Sequence, residues 1–428
     1  MNTVTLKYGT ENIHFQPTDA KTIELEPKEL ADPQQLIREA LSNPIDSPPL
    51  TEIVSPGEHV VIVTSDITRY TGSELYLPVL VDELNRAGVA DENIEIIIAL
   101  GIHRKQTDAE HRTILGDLYG RIQVTDHECD DPAALVNLGT TSDGLPVRIN
   151  RTVAEADRII VTGTVGLHYF AGFGGGRKSL VPGVASRETC MATHFKIFNP
   201  PQIGGKQPAA CAANLDGNPV HEAILEAALM LKPDFLFNTV LTPDKKLFKA
   251  FAGNLDTAHR QACDAARDLY TADLASPADL AIVSCGGHPK DINFIQSQKA
   301  LDYGVRALKP GGSIILLAKC PDGFGNATFF NWFRFRDLEQ FEQALRENYE
   351  INGQTAHATL EKAQRFRVIL VSNFSRIETE TMGMEKAETL DRALTMAYEK
   401  LPPQPETVII TDGGTILPVI VKQEDRIQ

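Results

Sequence analysis

The stretch 59–101, HVVIVTSDITRYTGSELYLPVLVDELNRAGVADENIEIIIALG, decides the fold. Near-continuous apolar runs at 59–65 and 94–100 flank a helical pattern over 75–87. Runs with almost no polar break are expected of parallel strands buried on both faces. A helix between two such strands is the connection that a parallel pair requires. The alternation continues outward from there. Further strands are predicted at 121–125, 158–162, 279–284, 312–318, 367–372 and 406–411. Helical patterns sit at 107–115, 219–231, 257–270, 296–308, 338–349, 353–365 and 386–400. The fold class is therefore α/β, with mainly parallel sheets. Only 235–252 interrupts the rhythm, reading as two strands around the turn Thr242-Pro243-Asp244-Lys245.

A chain of 428 residues suits two domains. Loop-like Ala272-Asp273 and Ser276-Pro277 place the boundary near 270–278, giving an N-terminal α/β domain over 1–274 and a C-terminal one over 275–428. The pattern leaves open whether the last strand returns to the first domain. The opening 50 residues, proline-rich towards Asn43–Pro49, read as an irregular arm lying on the first domain.

Composition narrows the function. The chain is 42% hydrophobic and 23% charged, which excludes a disordered protein. Its 57 acidic against 41 basic residues give a net charge of -16, which argues against binding nucleic acid or an anionic membrane. No run approaches the ~18 apolar residues of a membrane span, and Met1 to Lys7 lacks the basic start and apolar core of a signal peptide. The 6 cysteines form no Cys-x-x-Cys pair, which fits reduced thiols of a cytoplasmic protein and removes a thiolate zinc site.

Ligands of open α/β sheets bind beyond the carboxyl ends of the strands. Those ends carry Ser65-Asp66-Ile67-Thr68-Arg69, Gly101-Ile102-His103-Arg104, Gly163-Thr164-Val165-Gly166-Leu167-His168 and Cys285-Gly286-Gly287-His288. The densest signal is 163–183, GTVGLHYFAGFGGGRKSLVPG, a third of it glycine. It is neither a Walker A loop nor a dinucleotide fingerprint, because Arg177 stands where each would need glycine. Arg177 and Lys178 beside Gly174, Gly175 and Gly176 suit an anionic ligand. A desolvated Lys178 is also a candidate nucleophile. His103, His168 and His194 are candidates for acid/base work or metal ligation. Gln296 and Lys299 share a helix face, suited to a ligand carboxylate.

Taken together, Asp66-Ile-Thr-Arg69, Gly101-x-His103-Arg104, His168-Tyr-x-Ala-Gly-x-x-Gly-Gly-x-Lys178-Ser, Pro182-Gly183, Thr193-His194, Asp291-Ile-Asn and Gln296-x-x-Lys299 resemble the nickel-pincer lactate racemase family. The resemblance implies a nicotinate-derived mononucleotide that carries a thioamide, a thiocarboxylate and nickel, joined to the protein through Lys178. It implies His194 as the metal ligand and His103 with His168 as the two acid/base groups. Ser65, Asp66, Arg69, Gly175 and Gly176 fall where that family holds its cofactor. Arg69, Ile295, Gln296 and Lys299 fall where it holds substrate, in a cleft between the domains. The activity implied is racemisation or epimerisation of a 2-hydroxy acid by reversible hydride transfer, with cofactor-building enzymes as partners. Nickel accepts mixed sulfur and imidazole ligands, so a tridentate pincer needs only one histidine from the protein. Ile295 departs from the tyrosine usual beside Gln296, which leaves room for another short-chain 2-hydroxy acid in place of lactate. The competing readings are a nicotinamide-dependent 2-hydroxy acid dehydrogenase and a non-catalytic nucleotide- or phosphate-binding protein. The physiological substrate and the oligomeric state stay open at this level.

Overall fold

The computed structural model describes residues 3–17 and 19–421. The chain divides into two compact units. One is Pro27–Leu269, and the other joins the described residues up to Glu26 to those from Tyr270 onward.

The Pro27–Leu269 unit is built on a six-stranded sheet. Its spatial order is Leu247–Gly253, Phe235–Leu241, Arg158–Thr164, Val60–Ser65, Ile94–Ala99 and Gln123–Asp126. All neighbours run parallel except the first pair, which is the hairpin expected at 235–252. The central strands are apolar on both faces because both faces are covered. Val60, Ile62, Ile96, Ile98 and Ile160 share one core with Tyr76, Leu77, Leu80 and Leu84 of the helix Ser73–Arg86. Each such side chain contributes about 1.5–3 kcal/mol on burial. Tyr76 keeps its hydroxyl satisfied in this core through Thr71 at 2.9 Å, Thr162 at 3.0 Å and Thr64 at 3.2 Å.

The other unit has a six-stranded, wholly parallel sheet. Its order is Glu385–Ala387, Arg367–Val371, Leu308–Leu317, Ala278–Ser284, Thr407–Ile410 and Ala20–Ile23. Leu280, Ile282, Ile315, Leu317, Ile369 and Ile409 pack there with Leu390, Ala393 and Ala397 of the helix Leu390–Tyr398.

One expectation about the chain's path is corrected, and one open point is settled. The opening residues do not all lie on the first domain, because Ala20–Ile23 pairs in parallel with Thr407–Ile410 as the edge of the second sheet. The last predicted strand, Thr407–Ile410, stays in that same sheet beside Ala278–Ser284. The break between units falls just ahead of Tyr270 because Thr271–Leu274 pairs with Leu417–Ile420. Among the described residues, no helix is long and apolar enough to cross a membrane.

Candidate active site

Sheet order explains why distant residues converge. Arg158–Thr164, Val60–Ser65 and Ile94–Ala99 are adjacent and parallel, so the residues after each emerge at one edge of the sheet. Ser65 closes the middle strand, and Asp66 caps the short helix Ile67–Arg69. One Asp66 oxygen accepts the Thr68 N–H at 2.9 Å and the Thr68 hydroxyl at 2.6 Å. The Gln106 side chain accepts the Ile67 N–H at 3.1 Å and braces the same turn. The second Asp66 oxygen meets His103 Nδ1 at 2.5 Å. Burial raises the Asp66 carboxyl, but the hydrogen bonds from His103 and Thr68 outweigh it and hold the group below the usual carboxylate range. An ionised carboxylate only accepts, so Nδ1 carries a proton, and in the neutral ring the lone pair then lies at Nε2.

His168 is set by different means. Leu167–His168 pairs with Gly172–Phe173 in a tight hairpin. Gly172 has φ +77°, and a β-carbon there would lie 2.1 Å from the Asn214 carbonyl, so only glycine fits. Inside the turn, the Ala171 N–H donates to His168 Nδ1 at 3.2 Å. His168 Nε2 lies 3.2 Å from Lys178 Nζ. Burial, followed by the charges of Arg177 and Arg69, brings Lys178 down to about 7.

His194 sits on the helix Arg187–Phe195, which Ser186 caps. Its Nδ1 donates to the Cys190 carbonyl at 2.8 Å, which leaves the Nε2 lone pair available. Burial first, and the Lys178 charge second, lower this ring to about 4, so it is neutral near pH 7. Phe170 joins the three groups. Its ring centroid is 4.6 Å from that of His168, 5.4 Å from that of His194 and 5.8 Å from Lys178 Nζ. Sequence reading missed Phe170, because an aromatic beside a histidine is usually core.

Several expected cations do not face this edge. Arg177 is fully buried. Its guanidinium donates to the Gly174 carbonyl at 2.9 Å, to His221 Nδ1 at 2.9 Å, to Phe173 O at 3.3 Å and to Ala171 O at 3.4 Å. It therefore staples the glycine-rich loop from within and does not serve an anion. Arg104 is exposed and forks onto Glu110 at 2.7 and 2.8 Å. The Gly176 N–H is already bonded to Asn238 Oδ1 at 2.8 Å, so it is not open to a phosphate. A β-carbon on Gly175 would meet His259 at 2.6 Å and one on Gly176 would meet Leu236 at 2.4 Å, so both glycines are required by packing. Arg69 remains exposed on its short helix, its Nη1 donating to the Thr68 carbonyl at 3.3 Å.

In the other unit, Ile295, Gln296 and Lys299 lie on the helix Phe294–Gly304, capped by Asn293. Lys299 Nζ donates to Gln296 Oε1 at 3.1 Å, which realises the shared helix face. Among the described residues, no three His, Cys, Asp or Glu side chains gather into a metal-binding set.

His168 and His194 thus gather with Phe170 about the desolvated Lys178 amine, and His103 stands on Asp66 at the end of the neighbouring strand. Comparison with known proteins gives the chain its class. Residues 8–204 match the lactate racemase N-terminal domain, and residues 274–421 match the lactate racemase C-terminal domain. The lactate racemase of Lactiplantibacillus plantarum is 35% identical over 91% of both chains. That of Thermoanaerobacterium thermosaccharolyticum is 32% identical over 90% of both. The solved lactate racemase apoprotein from the latter organism superposes with a TM-score of 0.87, covering 98% of this chain and 100% of its own, at 30% identity. The chain belongs to the lactate racemase family, and with it to the isomerases, as the sequence resemblance implied.

Proposed function

We propose that the chain racemises or epimerises lactate or another short-chain 2-hydroxy acid. His103 and His168 act as the paired acid/base groups, and a nickel-pincer nucleotide is tethered through Lys178. The observation that supports this most is the opposed proton placement on the two rings. His103 offers a lone pair at Nε2, while His168, whose Nδ1 accepts the Ala171 N–H, offers a proton at Nε2.

The residues present fit the cofactor. Lys178 is a desolvated amine able to form a thioamide. His194 has its Nδ1 proton fixed by the Cys190 carbonyl and its Nε2 free, the arrangement of a histidine prepared for a metal. An organic pincer would supply the other ligands of a site to which the protein gives one histidine. When bound, the group supplies a reversible acceptor for the Cα hydride.

The protein's part is proton handling and orientation. His103 Nε2 takes the hydroxyl proton of one enantiomer, and Asp66, with both oxygens already engaged, acts by holding that ring. His168 serves the other enantiomer. With the Lys178 lone pair taken up in a thioamide, His168 Nε2 would be turned to the substrate. Arg69, Gln296 and Lys299 are assigned to the substrate carboxylate, Ile295 to its alkyl group, and Ser65 with Arg69 to the cofactor. These assignments rest on the family resemblance.

The test is a panel of single-enantiomer 2-hydroxy acids given to protein co-produced with cofactor-building enzymes, without nicotinamide nucleotide. Loss of optical activity for at least one short-chain acid is expected. A full Lys178 adduct by intact mass with no racemisation across the panel would overturn the reading.

A further inference from the structure

The hairpin around His168 controls more than one ring. Because Nδ1 accepts the Ala171 N–H at 3.2 Å, the proton of the neutral imidazole sits on Nε2. That N–H points at Lys178 Nζ, 3.2 Å away. It is satisfied only by a nitrogen with a lone pair, which an ammonium lacks. An ammonium at Lys178 would require Nε2 to accept, which would drive the ring proton onto Nδ1 against the Ala171 N–H. The peptide that carries this N–H cannot easily turn away, because its carbonyl, that of Phe170, accepts Asn218 Nδ2 at 2.9 Å.

We propose that this hairpin, by fixing the tautomer of His168, holds Lys178 as a free amine, and that the protein before cofactor attachment is a site-selective acyl acceptor. Its donors are thioesters or dithioesters. The Nζ lone pair attacks the carbonyl or thiocarbonyl carbon, a C–N bond forms and the C–S bond breaks. The thiolate leaves and takes up the proton lost by nitrogen, so the products are an amide or thioamide and a thiol. No oxidant or reductant enters. This deepens the function proposed above and rests on it only for the purpose of the reaction, the attachment of a thiocarbonyl-bearing cofactor.

The surroundings agree. The groups that face Lys178 are His168 from the hairpin, Arg177 from its own short helix, Arg69 from the helix Ile67–Arg69, and Cys190 and His194 from the helix Arg187–Phe195. Both arginines repel an ammonium. Cys190 does not compete as a thiolate, because burial pushes it up to about 11.

The experiment uses the full chain made in a host without cofactor-building enzymes. It is treated at pH 7 with a limiting amount of S-(thiobenzoyl)thioglycolate, a dithioester, and read by intact mass and peptide mapping. Lys178 should label at least tenfold faster than any other lysine. Its rate should reach half its maximum near pH 7, the value to which burial lowers it. His168→Ala should remove that advantage at pH 7 and recover it at pH 9, whereas His168→Gln, which keeps an N–H donor, should retain part of it. Labelling of Lys178 at the rate of surface lysines in the wild-type protein would overturn the proposal, whatever the variants do. Selective labelling without any racemase activity would remove the functional reading and leave this one intact. Racemisation on a Lys178 adduct without selective labelling would do the reverse.

Discussion

The His103 and His168 regions begin alike and end in opposite states. Each histidine follows a parallel strand of one sheet, and each stands two residues after a glycine, Gly101 or Gly166. Behind His103 stands a buried carboxylate, and behind His168 a backbone N–H. The first ring is left as a proton acceptor at Nε2 and the second as a donor. A racemase needs one of each at any moment, since the proton taken from one hydroxyl orientation must be available to the other. On the proposed function, the partner behind the ring, more than the local motif, would assign its role. Enantiomers have equal free energies, so kcat/KM must be the same in both directions. The asymmetry can surface only in kcat and KM taken separately.

The largest effect should come from removing either ring. His103→Ala and His168→Ala should each lower turnover of cofactor-loaded protein by roughly 10²–10⁴-fold, the usual worth of a general acid/base. Optical rotation kinetics on samples of known adduct content would check this, and near-normal rates in either variant would break the division of labour. Next is Arg177→Met, which strikes the His168 side alone. It leaves the carbonyls of Ala171, Phe173 and Gly174 short of a donor, and stability by urea denaturation should fall by about 2–4 kcal/mol. Asp66→Asn strikes the His103 side. An amide cannot enforce the Nδ1–H tautomer, so kcat should fall roughly tenfold to a hundredfold with the fold intact, and Lys178 labelling should not change. If labelling did change, the two regions would not be independent.

A smaller, graded effect is expected with pH. Burial lowers His194 from 6.5 to about 4 and His221 from 6.5 to about 3. Between those values and 6.5 the unfolded chain binds protons that the folded chain refuses, so stability must drop as pH falls through this window. Urea midpoints measured from pH 7 down to 4 should decline steadily, and His221→Gln should flatten the slope. A midpoint constant across that range would show that these rings accept protons in the folded state.

Much of this was legible in the sequence because apolar runs such as 60–65 and 94–99 can be buried only one way. Strand ends then direct attention to Asp66, His103, His168 and Lys178. What could not be read depends on contacts far along the chain. Nothing local shows whether Arg177 turns outward to a ligand or inward. The inward choice is made by carbonyls in its own loop and by His221, a helix away. The coupling of Asp66 to His103 spans two strands, and Asp66 reads locally as a turn residue or a ligand contact. Ala20–Ile23 is too short and too polar to announce itself as a strand, and only its pairing with Thr407–Ile410 makes it one.

That edge strand has a consequence for how the protein comes into being. Ala20–Ile23 leaves the ribosome ahead of the whole Pro27–Leu269 unit, but its partner Thr407–Ile410 leaves only after that unit. The Pro27–Leu269 unit can fold while the early strand still waits, so the second sheet closes only once Thr407–Ile410 has been made. A fragment starting at residue 275 would lack a strand of its own sheet, and one ending at 274 would carry that strand with no place to put it. Dissection of this protein should therefore cut near 26 and 269, and graft residues 1–26 onto the second piece.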